Sequence, residues 1–148
     1  MSGLPETEVT LEVPFFDADM LGIVWHGHYL KYFEIARCAL LETIDYDYLT
    51  MKATGYVWPV VDLQVRYLAP ARFGQTLRVK ARMLEYEYRL KLAYEIHDTE
   101  GRRLAKGTTV QVAVELDSGE MCFGSPPVLL ERIARWRERI SPRDGSRS

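Results

Sequence analysis

The chain has 148 residues, 47% of them hydrophobic and 27% charged, with 19 basic and 21 acidic side chains giving a formal net charge of −2. A chain of this size buries roughly 68–70% of its unfolded surface, enough for one domain with a core of its own, and collagenous, low-complexity and disordered classes are excluded. The near-neutral balance also argues against a broad nucleic-acid surface. The charge is nevertheless segregated: residues 1–50 hold nine acids and two bases, net −7, and residues 51–148 hold 12 acids and 17 bases, net +5.

The two cysteines, Cys38 and Cys122, form no CxxC pair and no cluster with metal spacing, so neither a disulfide framework nor a zinc site is expected. Both read as small core residues. The start lacks a basic segment followed by an apolar run, and no stretch approaches the roughly 18 apolar residues of a membrane span. A cytoplasmic protein is expected.

One domain is expected over 1–148, with its core over about 6–140 and a disordered tail, SPRDGSRS. In chain order, Glu6–Phe16 alternates, with Val9, Leu11, Val13 and Phe15 on one face, and predicts a strand. A glycine-containing loop follows. A helix from about His28 to Ile44 then places Tyr29, Phe33, Ala36, Leu40 and Ile44 on one stripe. Asp45–Gly55 reads as an irregular connection. Four β-rich runs come next, Trp58–Leu68, Thr76–Glu87, Arg89–Asp98 and Arg103–Asp117, punctuated by turn residues that imply antiparallel pairing. Pro126–Ile140 reads as a short Arg-rich helix. The class is α+β, one long helix on a curved antiparallel sheet of about five strands.

Chemistry concentrates between the first strand and the long helix, where Asp17, Asp19, Gly22, His26 and His28 gather. The first turn of a helix offers unpaired N–H groups and the positive dipole end, suited to an oxyanion developing on an ester or thioester carbonyl. Asp19 could attack such a carbonyl or activate water, and it could equally serve as a turn-capping or solvent residue. Gly22 suits a positive φ or a close ligand approach. His26 and His28 are i and i+2 and do not share a helix face as metal ligands would. Lys31, Glu34 and Arg37 fit a salt-bridged helix surface.

Taken together, Phe16-Asp-Ala-Asp19-Met-Leu-Gly22-Ile-Val24-Trp-His26-Gly-His-Tyr29-Leu-Lys-Tyr32-Phe-Glu34-Ile-Ala36-Arg37 resembles the signature of the 4-hydroxybenzoyl-CoA thioesterase-like, or YbgC-like, hotdog family. The resemblance continues through Arg66–Gly74 and Leu104–Val112 and covers about residues 7–125. It implies a hotdog fold, with a long central helix wrapped by the sheet, and acyl-CoA or acyl-carrier thioester hydrolysis by a homodimer, with tetramers common. No metal or redox cofactor is implied. The catalytic aspartate falls on Asp19, and the amide that polarises the thioester carbonyl falls on His26, with Gly27 beside it. Gly22, Val24 and Tyr29 fall around the acyl site. Arg72, Arg89 and Lys91 are candidates for the CoA phosphates by position and charge. Ala18, Met20-Leu21 and His28 depart from the usual pattern and imply an altered acyl pocket. A hotdog dehydratase or hydratase, or a non-catalytic acyl-CoA or acyl-carrier binding protein, remains the alternative, because fold does not fix reaction.

Overall fold

The computed structural model describes residues 3–14, 17–24 and 27–140. The first strand, β1, covers Glu6–Glu12, with Val9 and Leu11 turned toward the core and Glu6, Glu8 and Glu12 toward solvent. It stops short of the predicted Phe16 because Pro14 has no N–H to give a ladder. Phe15 and Phe16 lie outside the described residues.

Helix α1 spans His28–Thr43 and buries Tyr29, Tyr32, Phe33, Ala36, Leu40 and Leu41, with Ile44 just beyond. Its 16 residues are four to five turns, an ordinary helix rather than a specially long one. Asp45 ends it in the left-handed region at φ 56°, a conformation that an aspartate tolerates better than most residues. Cys38 lies off the apolar stripe and is exposed, contrary to the core position expected for it, while Cys122 is half-buried.

The supposedly irregular connection contains a short helix, α2, Tyr48–Ala53. Asp47 caps it by accepting the Thr50 N–H at 2.8 Å, and Met51 anchors it in the core. An Asp three residues before a helical N–H was a readable start signal, obscured by the brevity of the helix and its exposed Tyr48 and Leu49.

The strands that follow are β2 (Tyr56–Val57), β3 (Val60–Tyr67), β4 (Thr76–Glu85), β5 (Leu90–Asp98), β6 (Arg103–Gln111) and β7 (Val114–Glu115). Five make one antiparallel sheet in the order β1-β4-β5-β6-β3, and β2 pairs with β7 in a two-stranded ribbon. The last predicted run is thus two strands, parted where the Val112 N–H turns to Pro59 O at 3.3 Å. Residues Leu90, Leu92, Tyr94 and Ile96 of β5 alternate into the core, as a strand of period two with one buried face should.

α1 packs on β1 and β4, and Phe33 reaches across to stack on Tyr94 at 4.6 Å between ring centroids. Gly107 makes room for that ring: a Cβ there would lie 2.7 Å from Phe33 and 2.5 Å from Gln64 O. The terminal helix α3, Pro127–Ile140, buries Leu129 and Ile133. Its Arg139 closes the end of α1, donating to Thr43 O at 2.7 Å and to Asp45 at 3.1 Å. That contact, with Glu8–Arg78 at 3.9 Å, shows how folding mixes the charges that the chain segregates. No described helix is long and apolar enough to cross a membrane.

Candidate active site

The loop from Asp17 to Val24 is a tight, self-bonded unit. Gly22 N–H donates to Asp19 O at 2.9 Å, and Asp19 N–H to Ile23 O at 2.9 Å. The Asp19 side chain completes the turn through one oxygen, Oδ1, which accepts the Leu21 N–H at 2.9 Å and the Ile23 N–H at 3.1 Å. Its other oxygen, Oδ2, has no hydrogen-bond partner among the described residues. Gly22 stands at φ 79°, and no atom approaches within 4 Å of where a Cβ would be, so the residue answers a backbone requirement and not crowding.

The loop is sewn to the β3–β4 connection. Val24 N–H donates to Ala71 O at 2.8 Å, Phe73 N–H donates to Gly22 O at 2.8 Å, and Ile23 bridges Arg72. Arg72 therefore enters through its backbone. From α1, the buried Tyr29 locks the same connection: its hydroxyl accepts the Ala71 N–H at 2.9 Å and faces Ala69 O at 3.5 Å. Its ring lies 5.2 Å from that of Tyr67. Burial pushes the Tyr29 phenol above its ordinary range, so the hydroxyl stays protonated.

These contacts enclose an open groove of about 590 Å³, lined by Asp19, Ile23, Val24, Tyr29 and the segment Tyr67–Pro70. The groove begins beside the start of α1. Gly27 already has helical φ and ψ of −63° and −22°. His26 lies outside the described residues. Tyr67–Pro70, absent from the sequence-based candidates, forms one wall. The sequence signals for it were Pro70, which follows the β3 run, and the family resemblance over Arg66–Gly74, neither of which pointed to a groove wall.

Asp17 has a different part. It is 2% exposed, accepts from Lys31 Nζ at 2.7 Å and Tyr32 hydroxyl at 2.8 Å, and lies 3.6 Å from His28 Nδ1. Burial raises its carboxyl pKa, but the hydrogen bonds from Lys31 and Tyr32 and the nearby positive charge outweigh this and leave it below the usual value. Burial, and after it the hydrogen bond to Asp17 and that residue's negative charge, push the Tyr32 phenol up. Lys31 thus serves Asp17 and not Glu34, which pairs with Arg37 at 3.8 Å. Asp17 fixes the root of the loop to α1, and Asp19 is left at its rim.

Arg89 and Lys91 do not line this groove. Arg89 is held by Glu85 at 2.6 Å, and Lys91 pairs with Val110, whereas Tyr67 at the groove lies beside Ala105 at the other end of β6. Arg89 and Lys91 therefore sit at the far end of the sheet from Asp19 of the same chain, whereas Arg72 lies against the Asp19 loop.

A family model for the thioesterase-like superfamily matches residues 13–142. YneP of Bacillus subtilis, which bears the name of an acyl-CoA thioesterase, is 30% identical over 109 residues, covering 73% of this chain and 79% of that protein. The Synechocystis protein sll0410, named as an esterase, is 33% identical over 133 residues, 88% of this chain and 80% of its own length. Among solved structures, the hypothetical protein TT1821 from Thermus thermophilus is 30% identical, with a TM-score of 0.77 over 88% of this chain and 97% of that one. A DHNA-CoA thioesterase from Staphylococcus aureus shares the fold at 21% identity, with a TM-score of 0.79 over 97% and 95% of the two chains. The chain belongs to the thioesterase-like superfamily of hotdog thioester hydrolases.

Proposed function

We propose that the protein hydrolyses acyl-CoA or acyl-carrier thioesters at the Asp19 groove. The observation that carries this reading is the division of labour within one carboxylate of the groove: Oδ1 is spent on the turn, and Oδ2 has no hydrogen-bond partner among the described residues. A thioester carbonyl lying along Tyr67–Pro70 meets Asp19 on one side. The amides of the first helical turn, which the family resemblance assigns to His26 and Gly27, stabilise its oxyanion.

Two routes use this geometry. In one, Asp19 attacks the acyl carbon, the C–S bond breaks, the thiolate takes a proton from solvent, and water then cleaves the mixed anhydride. In the other, Asp19 removes a proton from water as that water attacks, the C–S bond breaks, and the leaving thiolate takes that proton, which restores the carboxylate. Both yield a free acid and a free thiol. Tyr29 and Val24 shape the wall beside the acyl group. The names of relatives support a CoA thioester, among them a 1,4-dihydroxy-2-naphthoyl-CoA hydrolase from Thermosynechococcus vestitus that is 25% identical over 118 residues.

The working unit in this reading is a homodimer, able to pair further into a tetramer, and Arg89 and Lys91 of one copy serve the phosphates of a substrate bound at the other. Incubation with a panel of aliphatic and aromatic acyl-CoAs, following free thiol and product mass, tests the reaction. Thiol release with free acid is expected. Hydration that leaves the thioester intact, or binding without thiol release, would replace this reading with a hydratase or a binding protein.

A further inference from the structure

The sheet has two faces. α1 packs on one of them, and the strand residues that alternate away from it form an open face on the other side. On β3 the change of side falls within the last two residues. Tyr67 lies against Tyr29 of α1, with 5.2 Å between ring centroids, and Arg66 just before it lines a hollow on the open face.

This hollow measures about 520 Å³ and shares no residue with the Asp19 groove. The strand register explains its shape. Gln64, Thr108, Ala93 and Arg82 lie side by side across β3, β6, β5 and β4, and Arg66, Lys106 and Glu95 make the next row. The small Ala93 and Thr108 leave a depression, and the longer side chains of Arg66, Arg82, Arg103 and Lys106 border it.

Four bases therefore meet one acid, Glu95, and that acid is already engaged. Its Oε2 lies 3.4 Å from Arg103, and its Oε1 lies 3.4 Å from His97 Nε2. Arg66, Arg82 and Lys106 form no ion pair among the described residues, although Glu6 stands opposite Arg82 in the β1–β4 register. The half-buried Thr108 hydroxyl likewise has no hydrogen-bond partner among the described residues.

Three uncompensated cations in one depression repel the same face of a second copy and concentrate anions. Guanidinium groups match phosphate oxygens, to which each gives two parallel N–H bonds, and the ammonium adds a point charge. Two linked phosphates balance three cations, which a lone carboxylate does not.

We propose that this hollow is a second binding site, for a free small molecule carrying two linked phosphates, and that its ligand is not the thioester substrate. Arg66 and Tyr67 face opposite sides of β3, so a ligand in the hollow leaves the Asp19 groove open. The site stands whether or not the groove hydrolyses thioesters.

Calorimetric titration of the full chain carrying Arg89→Gln and Lys91→Gln, which removes the other phosphate candidates, tests this with inorganic pyrophosphate, ADP and CoA. At an ionic strength of about 0.15 M, one pyrophosphate or ADP should bind per chain. Arg82→Gln and Lys106→Gln, both at exposed positions, should each weaken binding at least about tenfold, the size of one lost hydrogen bond to a charged group. Arg82→Lys should weaken it less, because it keeps the charge and loses only the fork. Asp19→Asn should leave it unchanged. ADP should bind at least about tenfold tighter than CoA, whose linked phosphates are esterified at both ends and carry less charge. CoA binding as tight as ADP would overturn the assignment to a free ligand and make the hollow part of the substrate site. No binding of pyrophosphate or ADP, or binding that folded Arg82→Gln and Lys106→Gln proteins retain in full, would overturn the site. Binding of a long polyanion such as heparin with none of pyrophosphate would overturn it too, and make the face a docking surface for a macromolecule.

Discussion

Asp17 and Asp19 are two residues apart and have opposite environments: Asp17 is buried against Lys31 at 2.7 Å, and Asp19 is exposed with only one oxygen engaged among the described residues. Environment, not residue type, divides them into an anchor and, in the proposed reading, a reactive group. The anchor gives the loop a fixed root on α1, and the Asp19 turn holds the second carboxylate at the groove. Pre-organisation of this kind removes the entropic cost of orienting a catalytic group at the moment of reaction.

The anchor should appear in pH-dependent stability. The Asp17 pKa is lowered in the folded state from its ordinary 3.8. Its contribution is therefore fully present above the unfolded value and is lost as pH falls through the folded one. Asp17→Asn should cost about 1–3 kcal/mol at pH 6–8. The gap between variant and wild type in denaturant titrations should shrink below about pH 4. A gap that stays constant to pH 2 would show that Asp17 does not act through its charge.

Tyr29→Phe removes the hydroxyl that accepts the buried Ala71 N–H. A loss of about 1–3 kcal/mol is expected from the orphaned donor. Amide exchange at Ala71 should quicken more than at Tyr94, deep in the sheet. Because Ala69 and Pro70 line the groove, the KM for an acyl-CoA should rise as that wall loosens.

Gly107→Ala tests the packing beneath α1. Its Cβ would meet a ring that can shift and a backbone oxygen, Gln64 O, that cannot readily do so. Overpacking of about 1–3 kcal/mol is expected, measurable as a lower urea midpoint. Adding Phe33→Leu should restore only part of it, since the Gln64 contact remains.

Neutralising Arg89 and Lys91 together should raise the KM for an acyl-CoA more than for a short thioester without the nucleotide. These residues lie far from Asp19 of their own chain, so the effect requires a second copy. Equal effects on both substrates would remove them from phosphate binding.

Much of this architecture could be read from residue periodicity. The stripe Tyr29, Phe33, Ala36, Leu40 and Ile44 marked α1 to within a residue, and the turn glycines marked the strand ends. Two features were not legible. α2 is too short to show a period, and the break between β6 and β7 depends on the bond from Val112 to Pro59, a contact distant in sequence. At the site, Asp19 and Gly22 could be picked out because turn chemistry and spacing are local. The roles of Asp17 and the Tyr67–Pro70 wall could not, since both depend on which segments meet in three dimensions. Lys31 shows the limit well: its i+3 spacing suggested Glu34, and the fold gave it a buried carboxylate 14 residues earlier.

The most direct measurement is steady-state thiol release by Asp19→Asn beside wild type, with an acyl-CoA that the wild type hydrolyses. Asparagine keeps an oxygen to accept the Leu21 and Ile23 N–H groups, so the turn and the thermal midpoint should be retained while the reactive carboxylate is lost. A fall in kcat/KM of about 100-fold or more is predicted, the size expected for removing a nucleophile or general base. A folded Asp19→Asn protein with wild-type kcat/KM would contradict the account.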